Sequence, residues 1–192
     1  MHLARVAPRS THRTRHGAFL NDADADSDVP ALLEERSCAA LAGMKPRPGE
    51  TVHLILDDHR MAKRGKRMAR LSTIWDHKQQ KFVRGHIALF AAICFRGVVL
   101  PWRLALQKPK GQPGPPRYRK LTDLAARMIR DFVPPDGVKV RVLFDAFYLS
   151  PVVVRACESK GFTYFSVAAK NRSFRPTASR DAAARSACWR PG

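Results

Sequence analysis

The sequence predicts an α/β protein built on a mixed sheet flanked by helices. Three observations predict it. Apolar runs at 52–56, 82–95 and 98–106 are separated only by short polar breaks, the pattern of neighbouring strands joined by tight turns. Two later apolar segments, "VKVRVLFDAF" and "FTYFSVAAK", each follow a stretch of helical periodicity. Such β-α-β passages imply parallel pairing with right-handed crossovers. The 192 residues are 45% hydrophobic and 27% charged, enough apolar material for a core and too much for a disordered chain.

The elements are expected in this order. Residues 1–29, rich in Arg, His, Ser and Asp, show no apolar period and read as an irregular tail. A short helix spans 30–43 and stops at Gly43, with Pro46 and Pro48 beyond it. Val52–Leu56 forms the first strand, with Asp57 and Asp58 at its C-terminal end. "RLSTIW" continues as a strand after a loop at Lys63–Lys66, "WDHKQQKF" is a polar hairpin connection, and Phe82–Phe95 and Val98–Leu106 are the next two strands. Residues 107–117 form a Pro/Gly-rich loop. Tyr118, Leu121, Leu124, Ala125, Met128, Ile129 and Phe132 then recur at helical spacing, and Pro134–Gly137 ends the helix. "VKVRVLFDAF" alternates and then turns wholly apolar, as a central strand does. Ser150-Pro151 supplies an N-cap with Pro at the first helical position, and that helix runs to Gly161. "FTYFSVAAK" is the last strand, and residues from 171 onward have no period. This order is that of an RNase H-like core occupying residues 30–172, with a tail at 173–192.

One stretch mimics a membrane span. "IALFAAICFRGVVLPWRLAL", residues 87–106, is nearly long enough, but Arg96, Pro101 and Arg103 interrupt it and Arg96-Gly97 is a turn signal. Two buried strands with a tight turn fit better, and no membrane partner is expected. The first twenty residues lack the apolar run of a secretory signal. Cys38, Cys94, Cys157 and Cys188 are far apart and form no zinc or disulfide pattern, and Cys94 and Cys157 read as small buried side chains. A cytoplasmic, nucleoid-associated protein is the expectation.

Lys and Arg number 35 against 16 Asp and Glu, a net charge of +19 with a pI near 10.9. Such a surface attracts polyanions, nucleic acid above all. No aromatic RNA-module motif is present, so RNA binding would rest on charge alone.

The chemistry-bearing candidates are carboxylates. If the strands ending in Asp57 and Asp145 lie side by side in parallel, their acids come within a few ångströms. Two such charges ~4 Å apart repel by roughly 4 kcal/mol at an effective dielectric near 20. Mg²⁺ or Mn²⁺, which prefers oxygen ligands, would relieve that, and two such ions could clamp the attacking and leaving oxygens of a phosphodiester. The plainer alternative is that a lone Asp at a strand end is a turn or cap residue. Asp58 points to the face opposite Asp57 if the strand continues. Asp76 reads as a loop residue, and Asp123 and Asp131 lie on the exposed side of their helix. His59, His77 and His86 fit no metal motif.

"LILDDHRMAKRGK", "WDHKQQKFVRGH", "VLFDAFYLS" and "YFSVAAKNR", in this order, resemble the catalytic region of bacterial insertion-sequence DDE transposases over about residues 50–172. The resemblance implies an RNase H-like fold, a two-metal Mg²⁺ or Mn²⁺ site, and DNA cleavage and joining at transposon ends. It implies that Asp57 and Asp145 are catalytic metal ligands, with Asp58 the rival of Asp57. His59 stands where the family often has Thr. Lys63 and Gly65 match the family's Lys-x-Gly, and Lys170, Asn171 and Arg172 match the end of its last strand. With Arg64, Lys66 and Arg67, the residues Lys63, Lys170 and Arg172 are the expected DNA contacts; Arg70, Arg117, Arg119 and Lys120 could extend them. Transposon-end and target DNA are the expected partners, with a homodimer an open alternative.

The family also has a third acid, a Glu on a helix beyond the last strand. After Asp145 the acids here are Glu158, which comes too early, and Asp181, in a tail resembling no family segment. The expectation is therefore a core incomplete at its C-terminus, an inactive fragment being one reading of it. A non-enzymatic basic DNA-binding protein is the alternative.

Overall fold

The computed structural model describes residues 25–63, 70–76, 79–114 and 116–168. Strand β1 (Thr51–Ala62) lies in the sheet interior because its alternation suits a pleated strand with one closed face. Val52, Leu54 and Leu56 are buried, while Thr51, His53 and Ile55 on the other face are half-exposed. Strand β3 (Lys81–Phe95) runs antiparallel to β1 from His53↔Cys94 to Ala62↔Gly85. Along its other edge β3 pairs with β2 (Ser72–Asp76) near its start and with β4 (Val98–Leu106) near its end, both antiparallel.

The segment that resembles a membrane span is the β3–β4 hairpin. Arg96 and Gly97 turn it with φ of +47° and +81°, the double positive φ that a two-residue type I′ turn needs. Arg is an uncommon choice there, and Glu50 holds it: Arg96 Nη2 donates to Glu50 Oε1 and Oε2 at 2.9 and 2.8 Å. Among the described residues no helix is long and apolar enough to cross a membrane.

The chain then crosses by α2 (Leu121–Asp131) to β5 (Lys139–Phe144), parallel to β1, and by α3 (Pro151–Ser159) to β6 (Thr163–Ser166), parallel to β5. The sheet order is β2-β3-β1-β5-β6, with β4 beside β2 on the far edge of β3. Antiparallel strands on one side of β1 and two parallel strands on the other make the mixed α/β sheet expected from the sequence. Helix α1 (Ala25–Gly43) packs on β4. Leu41 of α1, Ala125 and Ile129 of α2 and Val153 and Cys157 of α3 share one cluster with Val52, Leu54 and Leu56, so this face of the sheet is closed. Burial pushes the Cys157 thiol up to about 12. Cys94, on the other face, is only half-buried.

The other face carries Ile55, Phe90, Leu104, Leu143 and Phe165, and no helix among the described residues covers it. Phe90 and Leu104 are 39% exposed and Phe165 is 56% exposed.

Several boundaries differ from the sequence reading. Helix α1 begins at Ala25 and runs through Pro30, five residues before the expected start. Strand β1 does not stop at Leu56; ladder pairing with β3 carries it through both aspartates to Ala62. Asp76 closes β2 instead of lying in a loop. β5 ends at Phe144, before Asp145, because parallel pairing with both neighbours ends there. β6 is confined to four residues. Ser150 has extended backbone ahead of Pro151, but its side chain makes no cap hydrogen bond. At the other end of α3 the stop is as expected: Gly161 adopts φ +67°, and the Gly161 and Phe162 N–H groups donate to the Glu158 and Cys157 carbonyls, the paired bonds of a Schellman ending.

Candidate functional site

The β1–β5 register fixes the site. Its last pair is Leu56↔Phe144; Asp57 is the next residue on β1, and Asp145 is the first residue past the end of β5. Alternation puts Asp57 on the face of Ile55, and Asp145 stands in the turn that follows β5. Both aspartates line one open cleft of about 570 Å³, with Ile55, Leu143, Phe165 and Val167 along its apolar wall.

Each carboxylate spends one oxygen locally. Asp57 Oδ1 accepts from the Asp58 N–H at 2.9 Å. Asp145 Oδ1 accepts from the N–H groups of Phe147 and Tyr148 at 3.0 and 3.4 Å, which closes the turn after β5. Asp145 is thus a turn-forming residue and a cleft residue at once, and it is exposed instead of enclosed by the apolar neighbours that the sequence places around it. Among the described residues neither Oδ2 accepts a hydrogen bond.

Asp58 does not join them. It lies on the closed face, where the hydroxyl of fully buried Tyr148 donates to its Oδ1 at 2.9 Å. Burial first, and then the charge of Asp58, raise the Tyr148 pKa well above the ordinary phenol value, so Tyr148 stays a neutral donor. Arg60 Nε lies 4.0 Å from Asp58 Oδ2. The adjacent acids are therefore divided: Asp57 faces the cleft and Asp58 braces the turn that carries Asp145. A buried tyrosine hydroxyl requires a partner, and that requirement was the available signal for this contact.

Mg²⁺ binds through one or two carboxylates and keeps several waters. Asp57 and Asp145 offer the oxygen donors such an ion takes, since among the described residues each keeps one oxygen that accepts no hydrogen bond. The two-ion arrangement implied by the resemblance finds no third acid here: among the described residues no group of three or more His, Cys, Asp or Glu side chains could hold a metal. Glu158 is exposed on α3 and lines no part of the cleft. Asp181 lies outside the described residues.

The other expected residues are distributed as follows. Lys63 is half-buried just past β1, its N–H donating to the Arg84 carbonyl at 2.8 Å. Arg64, Gly65, Lys66 and Arg67 lie outside the described residues, as do His77, Lys170, Asn171 and Arg172. Arg117, Arg119 and Lys120 are exposed in the segment leading into α2. His59 is exposed two residues beyond Asp57 on the same face of β1. Asp131 is engaged by Arg103 and Arg127 at 2.7 and 3.5 Å.

No protein-family model matches the chain, and no curated protein matches it. Among solved structures the chain is similar to one titled "Cryo-EM structure of piggyBac transposase synaptic complex with hairpin DNA (SNHP)", at 15% identity and a TM-score of 0.44. The match covers 68% of this chain and 25% of that one, so the chain spans about a quarter of that protein's length.

Proposed function

We propose that the chain carries the core of a DDE-type DNA transposase, whose site would cleave and join phosphodiesters at transposon ends with the help of Mg²⁺ or Mn²⁺. One observation carries this reading. Asp57 and Asp145, remote in sequence, line one open cleft where the parallel pairing of β1 and β5 ends, and among the described residues each keeps one carboxylate oxygen that accepts no hydrogen bond. The motif order around them and the +19 charge support it.

A bound divalent ion would supply Lewis-acid stabilisation of charge on the phosphate oxygens. The chain's own contribution is positional. The Asp57 and Asp145 backbones fix the spacing of the acids, and the turn N–H groups hold the Asp145 carboxylate in one orientation. Asp58 acts through Tyr148 as a positioning residue.

A second reading, a non-enzymatic basic DNA-binding protein, is favoured by the lack of a third acid among the described residues. Nicking of supercoiled plasmid in Mn²⁺ separates the two. Metal-dependent nicking lost in both Asp57→Asn and Asp145→Asn supports the enzyme. Salt-sensitive DNA binding without nicking, indifferent to both substitutions and to metal, supports the binding protein.

A further inference from the structure

The row of side chains that ends at Asp145 begins with positive charge. Lys139, Arg141 and Leu143 alternate along one face of β5, and Asp145 follows just past the strand's end. At about 3.3 Å per residue, Arg141 stands roughly 13 Å from Asp145 along the strand. Lys139 and Arg141, with Lys160 and Thr163, line a second hollow of about 460 Å³. It adjoins the acidic cleft end to end on the same two strands: Arg141 is followed by Leu143 on β5, and Thr163 by Phe165 on β6.

Lys160 Nζ lies 5.7 Å from the centre of the Phe162 ring, but among the described residues the cations of this hollow have no carboxylate partner. Arg60, Arg96, Arg103 and Arg127 are each within 4.0 Å of a carboxylate. Lys139, Arg141 and Lys160 have no such partner among the described residues, although Asp136 shares the hollow. Arg141 is also held in place. Its guanidinium carbon lies 4.8 Å from the centre of the Phe165 ring, at the junction of the two hollows, and its Nε is shut from solvent without a hydrogen-bond partner. A guanidinium positioned this way gains from an anion at its outer nitrogens.

We infer that the open face of β5 and β6 is a track for one DNA strand, with a phosphate at Asp57 and Asp145 and further phosphates of the same strand at Arg141 and at Lys139 with Lys160. The exposed Phe165 ring between the hollows offers a surface on which a base can stack. The track rests on the proposed function for the phosphate at the acids, which needs a divalent ion between it and the two carboxylates. In a duplex, successive phosphates of one strand advance ~3.4 Å along the axis, so Arg141 would meet the backbone no more than about four nucleotides from the acids.

The test uses fluorescence anisotropy of the full chain on a single-stranded and a duplex oligonucleotide, in EDTA, across a salt series. Lys139→Gln with Lys160→Gln should weaken binding several-fold and flatten the salt slope by about one unit per contact removed. Arg141→Gln should do the same, and Arg141→Lys should restore part of the loss. Lys110→Gln, an exposed lysine in the Pro/Gly-rich loop, should change nothing. If the lysine pair binds no worse than Lys110→Gln, the track is wrong, even if Arg141→Gln fails to fold. With no metal present, this outcome is independent of the acids. Unchanged binding alongside nicking that depends on Asp145 would overturn the track and leave the proposed function standing. Weakened binding in a protein that neither binds metal nor nicks would leave the track and remove the chemistry.

Discussion

The Tyr148 hydroxyl donates to Asp58 Oδ1 at 2.9 Å across 90 residues of sequence. The contact ties the turn after β5 to β1 from the closed side of the sheet. On the open side the same turn holds Asp145 through the Phe147 and Tyr148 N–H groups. One tyrosine thus helps fix the spacing of Asp57 and Asp145, with its hydroxyl on Asp58 and its N–H on Asp145.

Tyr148→Phe removes the donor and leaves the Asp58 carboxylate half-buried beside a ring. A hydrogen bond to a charged group contributes about 1.5–3 kcal/mol, so a loss of that size is expected in urea unfolding. Any divalent affinity of the Asp57–Asp145 cleft should fall with it, as the turn loosens.

The same tyrosine sets an alkaline limit. Its folded pKa lies above the ordinary 10.0, chiefly through burial and then through the Asp58 charge. The folded protein therefore keeps a proton that the unfolded chain releases. That contribution is complete below pH 10 and declines as pH rises past it, by about 1.4 kcal/mol per pH unit. Unfolding midpoints measured between pH 8 and pH 11.5 should fall more steeply for the native sequence than for Tyr148→Phe.

Gly85 sits where β1, β3 and β2 converge, paired with both Ala62 and Ser72. A Cβ there would collide with the Met61 carbonyl oxygen and the Ile74 side chain. The carbonyl belongs to the backbone and cannot swing away, so Gly85→Ala should cost about 1–3 kcal/mol. Thermal unfolding measures it; at Gly43, where a Cβ would meet nothing within 4 Å, the same substitution should be mild.

Arg103 joins two helices to β4. It grips Glu34 of α1 at 2.8 and 2.7 Å and Asp131 of α2 at 2.7 Å, while its guanidinium lies 4.6 Å from the Trp102 ring centre. Lysine keeps the charge but cannot fork between the carboxylates. Arg103→Lys should cost about 1–2 kcal/mol in chemical denaturation.

Most of the sheet was legible because its strands are long, apolar and separated by turn signals. Arg96-Gly97, the break at Pro134–Gly137 and the Gly161 stop all lie where local chemistry places them. The errors lie where tertiary pairing overrides local cues. Two consecutive aspartates read as a strand end, yet ten paired positions on β3 carry β1 through them. The opposite faces of Asp57 and Asp58 followed from strand alternation alone. The role of Tyr148 did not, because nothing local shows which acid a buried hydroxyl will meet. The cationic row at Lys139 and Arg141 was hidden by the alternation that marked β5 as a strand.

In the proposed function Asp57 and Asp145 together hold a divalent ion. Titration of Mn²⁺ into the protein by calorimetry tests it most directly. The expected result is a saturable site in the native sequence that disappears in Asp57→Asn and in Asp145→Asn, with both variants still folded by circular dichroism. Absence of a site in the native sequence, or a site untouched by either substitution, would contradict the account.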